Sequence, residues 1–198
     1  MKLNREFYLR TNVVQVAKEL LGKVLFTRFD NQRCAGIITE TEAYNGVVDK
    51  ASHAYGGRRT TRTEIMYAEG GTAYVYLIYG LHSLFNVVTN VKDVPHAVLV
   101  RAIHPIAGIS RMEQRRQMNA AHPRFTSGPG SLSIAMGIHY THTGISLLEN
   151  KIWIEDHGIK SGRNEILITP RIGVDYAGED AALPYRFLLK KEVLGRLK

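Results

Sequence analysis

The chain has 198 residues, 44% of them hydrophobic, and its 26 Lys and Arg against 18 Asp and Glu give a formal net charge of +8. This composition is too apolar for a disordered chain, and the single cysteine, Cys34, excludes a framework of internal disulfides. No stretch reaches the roughly 18 apolar residues of a membrane span or forms a signal-type segment, so a soluble, cytoplasmic protein is expected.

The positive charge favours a polyanionic partner, because clustered Lys and Arg side chains release counterions when they bind phosphates. Nucleic acid is the first candidate, although the same charge could simply keep the protein in solution. The arginines form two clusters, Arg58, Arg59 and Arg62 in the first, and Arg111, Arg115, Arg116 and Arg124 in the second. Two clusters on separate elements could contact two stretches of a nucleic-acid backbone.

Hydrophobic periodicity predicts a mixture of helices and strands. Apolar residues at helical spacing predict a first helix over 13–21, capped by Thr11 or Asn12 and stopped by Gly22. Strands are predicted at 24–28, 35–44, 72–79, 84–90, 97–104, 151–155, 166–169 and 185–189, and further helices at 106–118 and 131–136. Because strands and helices do not alternate, we expect one α+β domain over 1–198, with an antiparallel sheet surrounded by helices.

Two carboxylates lie at the end of an apolar strand. Strand geometry places Glu40, Glu42 and Tyr44 on one face, with the carboxylates about 6.5–7 Å apart along the backbone. A partly buried carboxylate at this position could act as a base or position a water molecule. The alternative is that both are solvated residues of an edge strand.

A tyrosine-rich hairpin follows, with an apolar turn. Hairpin turns are ordinarily polar, so Tyr79 and Leu81 at the tip indicate a function outside the core. A wedge inserted between stacked bases would explain them, because proteins that kink DNA insert apolar or aromatic side chains in this way. Alternatively, the tip packs beneath another loop.

Other chemistry-bearing residues are few. Arg101 interrupts an apolar strand and needs a partner such as Glu42, unless it faces solvent at an edge. The H-x-x-H pair His139 and His142 lacks the glutamate and helical pattern of a zinc site, so no metal is expected. Neither a P-loop nor a G-x-S-x-G elbow is present.

Several short sequence blocks occur in the same order as in one known family, and the resemblance covers the chain from about residue 3 to residue 189. They are Glu40-Thr41-Glu42-Ala43-Tyr44, Ala51-Ser52-His53, Gly57-Arg58, Tyr74-Val75-Tyr76-Leu77-Ile78-Tyr79-Gly80, Asn86, Leu99-Val100-Arg101-Ala102, Ser127-Gly128-Pro129 and Arg171-Ile172-Gly173-Val174. Together they resemble the alkyladenine DNA glycosylase family, also called 3-methyladenine DNA glycosylase, in its short bacterial form.

The resemblance implies an enzyme that flips alkylated or deaminated purines out of duplex DNA and hydrolyses the N-glycosidic bond. It implies that Glu42 activates the attacking water, which Arg101 and the main-chain carbonyl of Val174 help to hold. Glu40 belongs to the same motif but is treated as structural. A monofunctional enzyme that leaves an abasic site and uses no cofactor is expected, acting as a monomer without an obligate protein partner.

The resemblance also assigns residues that contact DNA. The pocket for the flipped base is formed by Tyr44, Ala51, His53, Tyr76 and Asn86, the last of which disfavours the amino group of normal guanine. Tyr79 intercalates with Leu81 beside it, and Arg58 and Arg62 contact the backbone. The loop 45–50 and Leu81 differ from vertebrate members, which leaves the range of lesions open.

Two other functions remain possible on the residues alone. A carbohydrate glycosidase could use Glu40 and Glu42 as an acid and base pair, although the net charge and the remote Trp153 argue against a sugar site. A DNA- or RNA-binding module without catalysis could use the same arginines and tyrosines. The glycosylase and the binding module are distinguished by base release that depends on Glu42, which only the glycosylase shows.

Overall fold

An antiparallel sheet organises the chain in the computed structural model, which describes residues 1–159 and 162–196. Its eight strands are β1 (Val24–Phe29), β2 (Gln32–Tyr44), β3 (Ala73–Ile78), β4 (His82–Thr89), β5 (His96–Ala107), β6 (Ile152–Glu155), β7 (Ile166–Thr169) and β8 (Arg186–Leu189). The α-helices of the described part are α1 (Arg5–Tyr8), α2 (Val13–Leu20), α3 (Ile109–Arg116), α4 (Pro129–Met136) and α5 (Lys191–Arg196). Together they form a single α+β domain, as the sequence predicts.

The long strand β2 is the centre of the sheet. The order is β3-β4-β5-β2-β1-β6, and β5 pairs with β2 from Ala35 to Tyr44. On its other edge β2 pairs first with β1 and then, from Glu40 to Glu42, with β8. The register between β2 and β5 shifts on both sides of Glu40, where irregular pairing changes the direction of side chains. The two carboxylates therefore lie where β2 exchanges one partner strand for another.

The first long helix packs its predicted apolar face on this strand. Asn12 caps α2, since its side-chain oxygen accepts from the Gln15 N–H at 3.0 Å. The apolar residues that predicted the helix are Val13, Val16, Ala17 and Leu20, and all of them are buried. The Thr41 hydroxyl donates to the Ala17 carbonyl at 2.8 Å, which joins the helix to β2 beside the carboxylates.

The tyrosine-rich hairpin consists of β3 and β4, and its tip is exposed. Tyr79 and Gly80 both have positive φ, 52° and 67°, and the Leu81 N–H donates to the Ile78 carbonyl at 3.1 Å. Positive φ at two central residues is typical of type I′ hairpin turns. The side chains of Tyr79 and Leu81 are 86% and 77% exposed, so the tip does not pack beneath another loop.

The main difference from the sequence prediction lies after β5. The predicted helix over 106–118 is shorter, because β5 continues to Ala107 and α3 begins only at Ile109. Gly108 between them has a φ of +72°, and a Cβ there would lie 2.5 Å from the Arg33 carbonyl oxygen. Only glycine permits this close approach, so the break is set by tertiary packing.

Short 3-10 helices, which hydrophobic periodicity does not predict, form much of the surface beside the sheet. In the described part they are Gly46–Val48, Tyr55–Gly57, Glu64–Tyr67, Tyr140–His142, Arg163–Glu165 and Asp175–Ala182. Among the residues described, no helix combines the length and apolar character that crossing a membrane requires.

Candidate active site

A cavity of about 580 Å³ opens beside the hairpin. Its walls come from β3, β4 and β5, from the end of β2, and from the loop that contains Ile172, Gly173 and Val174. Residues assigned to the site from the sequence gather in its lining, namely Tyr44, Ala51, His53, Arg62, Tyr76, Tyr79, Asn86, Arg101 and Val174. The fold thus brings segments from across the chain to one concave site.

Glu42 lies directly behind the cavity lining and is fully buried. One carboxylate oxygen accepts from the Ile172 N–H at 2.9 Å, and the other accepts from the Tyr44 hydroxyl at 2.9 Å and from Arg101 Nη1 at 3.3 Å. A carboxylate has about four acceptor sites, so these donors fix the group and leave room for one more. All three donor residues line the cavity.

Arg101 lies between two carboxylates, which confirms that the arginine in the apolar strand is paired. Its Nε donates to Glu40 Oε1 at 2.8 Å, while its Nη1 is the donor to Glu42. Arg186 Nε, from β8, donates to the same Glu40 oxygen at 2.7 Å. We call Arg186, Glu40, Arg101 and Glu42 the charged row. Because Glu40 is only 8% exposed, the alternative of two solvated edge carboxylates is wrong.

Tyr44 donates to Glu42 as a neutral phenol. Burial raises its pKa well above the ordinary value, and the nearby Glu42 carboxylate raises it further. The Arg171 guanidinium lies 4.9 Å from the centre of the Tyr44 ring. The ring is therefore held between a cation and the carboxylate that its hydroxyl binds.

Aromatic rings form another wall of the cavity. His53 Nδ1 lies 2.8 Å from the Tyr74 hydroxyl, and the His53 ring meets Tyr76 edge to face at 4.7 Å. Burial, together with Arg62 and Arg58, lowers the pKa of His53 to about 4. His53 is thus neutral at pH 7. Flat, neutral rings suit a planar aromatic ligand.

Asn86 presents an acceptor to the cavity. Its Nδ2 donates to the main-chain carbonyls of Tyr74 and Leu84, both at 3.2 Å. Because both N–H bonds are used within β3 and β4, the side-chain oxygen is the polar group that remains for a ligand. This fixed orientation depends on the pairing of Tyr74 with Asn86 in the hairpin.

A buried ion pair, which no local sequence pattern indicates, holds the loop 170–174 that closes the site and that we call the closing loop. Arg171 Nη1 and Nη2 donate to the two oxygens of Asp49 at 2.5 and 2.9 Å, and both side chains are buried. Asp49 also accepts from the main-chain N–H groups of Asn45 and Ala51. The pair therefore joins the segment that carries Ala51 to the loop that carries Ile172 and Val174.

The Val174 carbonyl lies on the same loop. It accepts a hydrogen bond from the Ala177 N–H at 2.8 Å, which leaves its second lone pair available to a ligand.

Some arginines of the two clusters are exposed or lie at the cavity, whereas others bind acidic groups or carbonyls of the protein itself. Arg62 lies 5.0 Å from the Tyr76 ring at the cavity, and Arg58 is exposed. Arg59 instead pairs with Glu64 and Asp93. In the second cluster, Arg115 and Arg116 donate to the carbonyls of Ala135, Phe125 and Arg124, so these two side chains stabilise loops and helix ends.

The H-x-x-H pair has local structural roles. His142 stacks on Phe29 with ring centres 4.5 Å apart, and its Nδ1 accepts from the His139 N–H at 3.0 Å. Across residues 1–159 and 162–196, no three His, Cys, Asp or Glu side chains are grouped to hold a metal ion.

Comparison with known proteins gives the same family along nearly the whole chain. The family model described as methylpurine-DNA glycosylase (MPG) matches residues 6–193. A relative from Chlamydia abortus is 48% identical over 188 residues, which cover 94% of this chain and 97% of the relative. Relatives from Clostridium perfringens and Clostridium acetobutylicum are 43% and 45% identical, and each comparison covers at least 95% of both chains. All three relatives carry the name 3-methyladenine DNA glycosylase. On this identity and coverage, the chain belongs to the methylpurine-DNA glycosylase family, a family of hydrolases that act in base excision repair.

Proposed function

We propose that the protein removes alkylated purines from duplex DNA by hydrolysing the N-glycosidic bond with a water molecule that Glu42 activates. The observation that carries this proposal is the position of Glu42. It is a buried carboxylate, fixed by three donors, behind an aromatic cavity whose mouth carries the exposed Tyr79. The product is an abasic site in an intact strand.

Glu42 has two tasks in this mechanism. Cleavage of a glycosidic bond passes through a sugar that resembles an oxocarbenium ion, and a carboxylate on the face opposite the base stabilises its positive charge. The same carboxylate accepts a proton from the attacking water through its remaining acceptor site. Arg101 and the second lone pair of the Val174 carbonyl hold that water.

The cavity takes the target base after it has been flipped out of the duplex. Tyr44, His53 and Tyr76 enclose the base, Ala51 leaves it room, and Asn86 faces its edge. Tyr79 fills the vacated position in the stack, Leu81 lies beside it, and Arg58 and Arg62 bind the phosphate backbone. Support for the wedge is the exposure of an apolar tip on a hairpin that itself forms one wall of the cavity.

The chemistry of base departure favours bases that are already cationic. A purine alkylated at N3 or N7 carries positive charge, is attracted to aromatic faces and leaves without protonation. A neutral base such as hypoxanthine needs a proton, and His53, whose pKa is lowered to about 4, does not carry one at pH 7. We therefore expect deaminated purines to be slower substrates of the same site.

The charged row argues against the carbohydrate glycosidase. Inverting enzymes keep their two carboxylates apart so that a sugar and a water fit between them. Here Glu40 and Glu42 bind one guanidinium, and neither lines the cavity. As a DNA-repair enzyme with bacterial relatives, the protein is proposed to act as a monomer on DNA in the cytoplasm.

The test is single-turnover base release from duplexes that contain one 7-methylguanine or one hypoxanthine, without added metal. Wild-type protein is expected to release both bases, 7-methylguanine faster, and to leave the strand intact. Glu42→Gln is expected to lower release by at least about a thousandfold, because the amide cannot accept the proton. DNA affinity should be unchanged.

Glu6→Gln makes the same chemical change at an exposed position of α1 and should behave as wild type. Full base release by Glu42→Gln would refute the mechanism. Salt-sensitive binding without release of either base by the wild type would identify a binding module instead.

A further inference from the structure

Glu40 is a buried carboxylate for which the proposed chemistry has no use. It precedes Glu42 by two residues on β2, lies outside the cavity lining and receives two arginine Nε donors on one oxygen. Buried carboxylates are costly unless charge and hydrogen bonds compensate them. Here Arg101 from β5 and Arg186 from β8 compensate the charge of Glu40.

The hydrogen bonds of Arg101 indicate how Glu40 affects its contact with Glu42. Arginine commonly binds one carboxylate bidentately, through two parallel N–H donors. In this site the shorter bond, 2.8 Å, joins Arg101 Nε to Glu40, and only Nη1 reaches Glu42, at 3.3 Å. Arg101 is thereby shared, and its contact with the catalytic carboxylate is the weaker of the two.

We propose that Glu40 is a positioning residue that holds the Nε edge of Arg101 and so prevents this guanidinium from pairing bidentately with Glu42. One acceptor site of Glu42 then stays open for water, and the carboxylate keeps its capacity to take a proton. This inference rests on the proposed role of Glu42 as the base.

The groups around Glu42 make the pairing of Arg101 sensitive to the charge of Glu40. Glu42 faces Tyr44 on β2, Arg101 on β5 and Tyr76 on β3. It also faces Arg171 on the closing loop and Tyr176 on the 3-10 helix that follows that loop. The charged row holds two arginines and two glutamates. Without the charge of Glu40, two arginines would face one carboxylate, and Arg101 would turn toward Glu42.

The experiment measures single-turnover release of 7-methylguanine, which needs no protonation, as a function of pH. Glu40→Gln keeps the shape and an acceptor oxygen but removes the charge. We expect its maximal rate to fall about tenfold and the acid-side midpoint of the profile to move about one pH unit lower, because Glu42 is paired more tightly. Affinity for undamaged duplex should stay unchanged.

Arg186→Gln is the matched control, because Arg186 binds the same Glu40 oxygen from β8. Without the Arg186 guanidinium, Arg101 is the arginine that still binds Glu40. The acid-side midpoint of the pH profile should therefore stay unchanged or move to higher pH, opposite to the shift expected for Glu40→Gln. A double variant, Glu40→Gln with Arg186→Gln, restores neutrality to the row and protects folding. It should keep the lowered midpoint, since Arg101 is still free to pair with Glu42.

Equal loss of rate in both single variants, with unmoved midpoints, would show that Glu40 only joins β2 to β8 and would overturn the inference. A wild-type profile for Glu40→Gln, or a wild-type midpoint in the double variant, would overturn it too. Glu42→Gln is measured in parallel. If it retains full release, the proposed function fails, whereas if it loses release and Glu40→Gln is normal, only the present inference fails.

Discussion

Burial determines the chemical form of the side chains around the cavity. Tyr44 remains a phenol that donates to Glu42, because burial and the carboxylate both raise its pKa. His53 remains neutral because burial and two arginines lower its pKa. The Tyr44 and His53 rings in the cavity wall are thus neutral at pH 7, and the charge that reaches the lining comes from Arg62 and Arg101.

The pKa of His53 predicts how stability depends on pH. Its ordinary value is 6.5 and burial lowers it to about 4, so between these values the unfolded chain binds a proton that the folded chain does not. The free energy of unfolding should therefore decrease as the pH falls from 6.5 toward 4. His53→Gln should flatten this part of the curve, which urea denaturation at a series of pH values can measure.

His122→Gln, at an exposed position, is the control and should leave the slope as in wild type. An unchanged slope in His53→Gln would contradict the assignment of this pH dependence to His53.

At the residue scale, short-range pattern predicted part of the site. Strand alternation placed Glu40, Glu42 and Tyr44 on one face, and the cost of a buried arginine predicted the partner of Arg101. Arg171 and Arg186 could not be assigned in this way. They are 122 and 146 residues from the carboxylates that they bind, and nothing in their local sequence indicates burial.

At the scale of elements, the turn of the hairpin combines exposure with an unfavourable backbone conformation. Tyrosine is a poor residue for a φ of 52°, since its Cβ crowds the following carbonyl at a cost of about 1 kcal/mol. Its ring is exposed and gains little from packing. The presence of tyrosine at this position agrees with a function outside the folded chain, such as insertion into DNA.

Tyr79→Asn should therefore stabilise the protein and impair it. Asparagine tolerates positive φ, so the free energy of unfolding should rise by about 0.5–1 kcal/mol, while release of 7-methylguanine should fall at least about tenfold. Urea denaturation and single-turnover assays measure the two effects. Leu81→Asn changes a residue that is also exposed but lies outside the positive-φ pair, so it should not gain stability. A Tyr79→Asn protein that releases bases as fast as wild type would contradict the wedge.

The strands were predicted well and the short helices were not. The predicted strands 166–169 and 24–28 agree with β7 and β1 to within one residue, because β-branched and aromatic residues mark them clearly. The 3-10 helices are too short to show an apolar period of their own, because 3-10 runs rarely exceed three or four residues. The start of α3 depends on Gly108 touching β2, which local sequence does not record.

For the whole molecule, the net charge of +8 becomes informative only when each arginine is traced to its contacts. Arg59, Arg115 and Arg116 bind acids or carbonyls of the protein itself. Arg58 and Arg62 lie on the cavity side of the molecule, near His53, whose pKa both lower. Of these five arginines, Arg58 and Arg62 are therefore the ones that we propose to face DNA.

Salt dependence of binding can separate these roles. Arg58→Gln and Arg62→Gln should each reduce the slope of log affinity against log salt by about one, for one lost phosphate contact. Arg59→Gln, which removes the same charge from a side chain already paired with Glu64 and Asp93, should change the slope much less. Fluorescence anisotropy with undamaged duplex measures these slopes. Equal changes in all three variants would contradict the assignment of specific phosphate contacts.

The closing loop also determines at which stage of synthesis the site can form. Six of the eight strands lie before residue 156, yet Arg171, Ile172, Val174 and Arg186, which complete the surroundings of Glu42, come later in the chain. During synthesis, a ribosome exposes the carboxylates and the hairpin long before these partners. A nascent chain can therefore form most of the sheet while Glu42 still lacks its main-chain donor. In this way the order of translation delays completion of the site until the closing loop has docked.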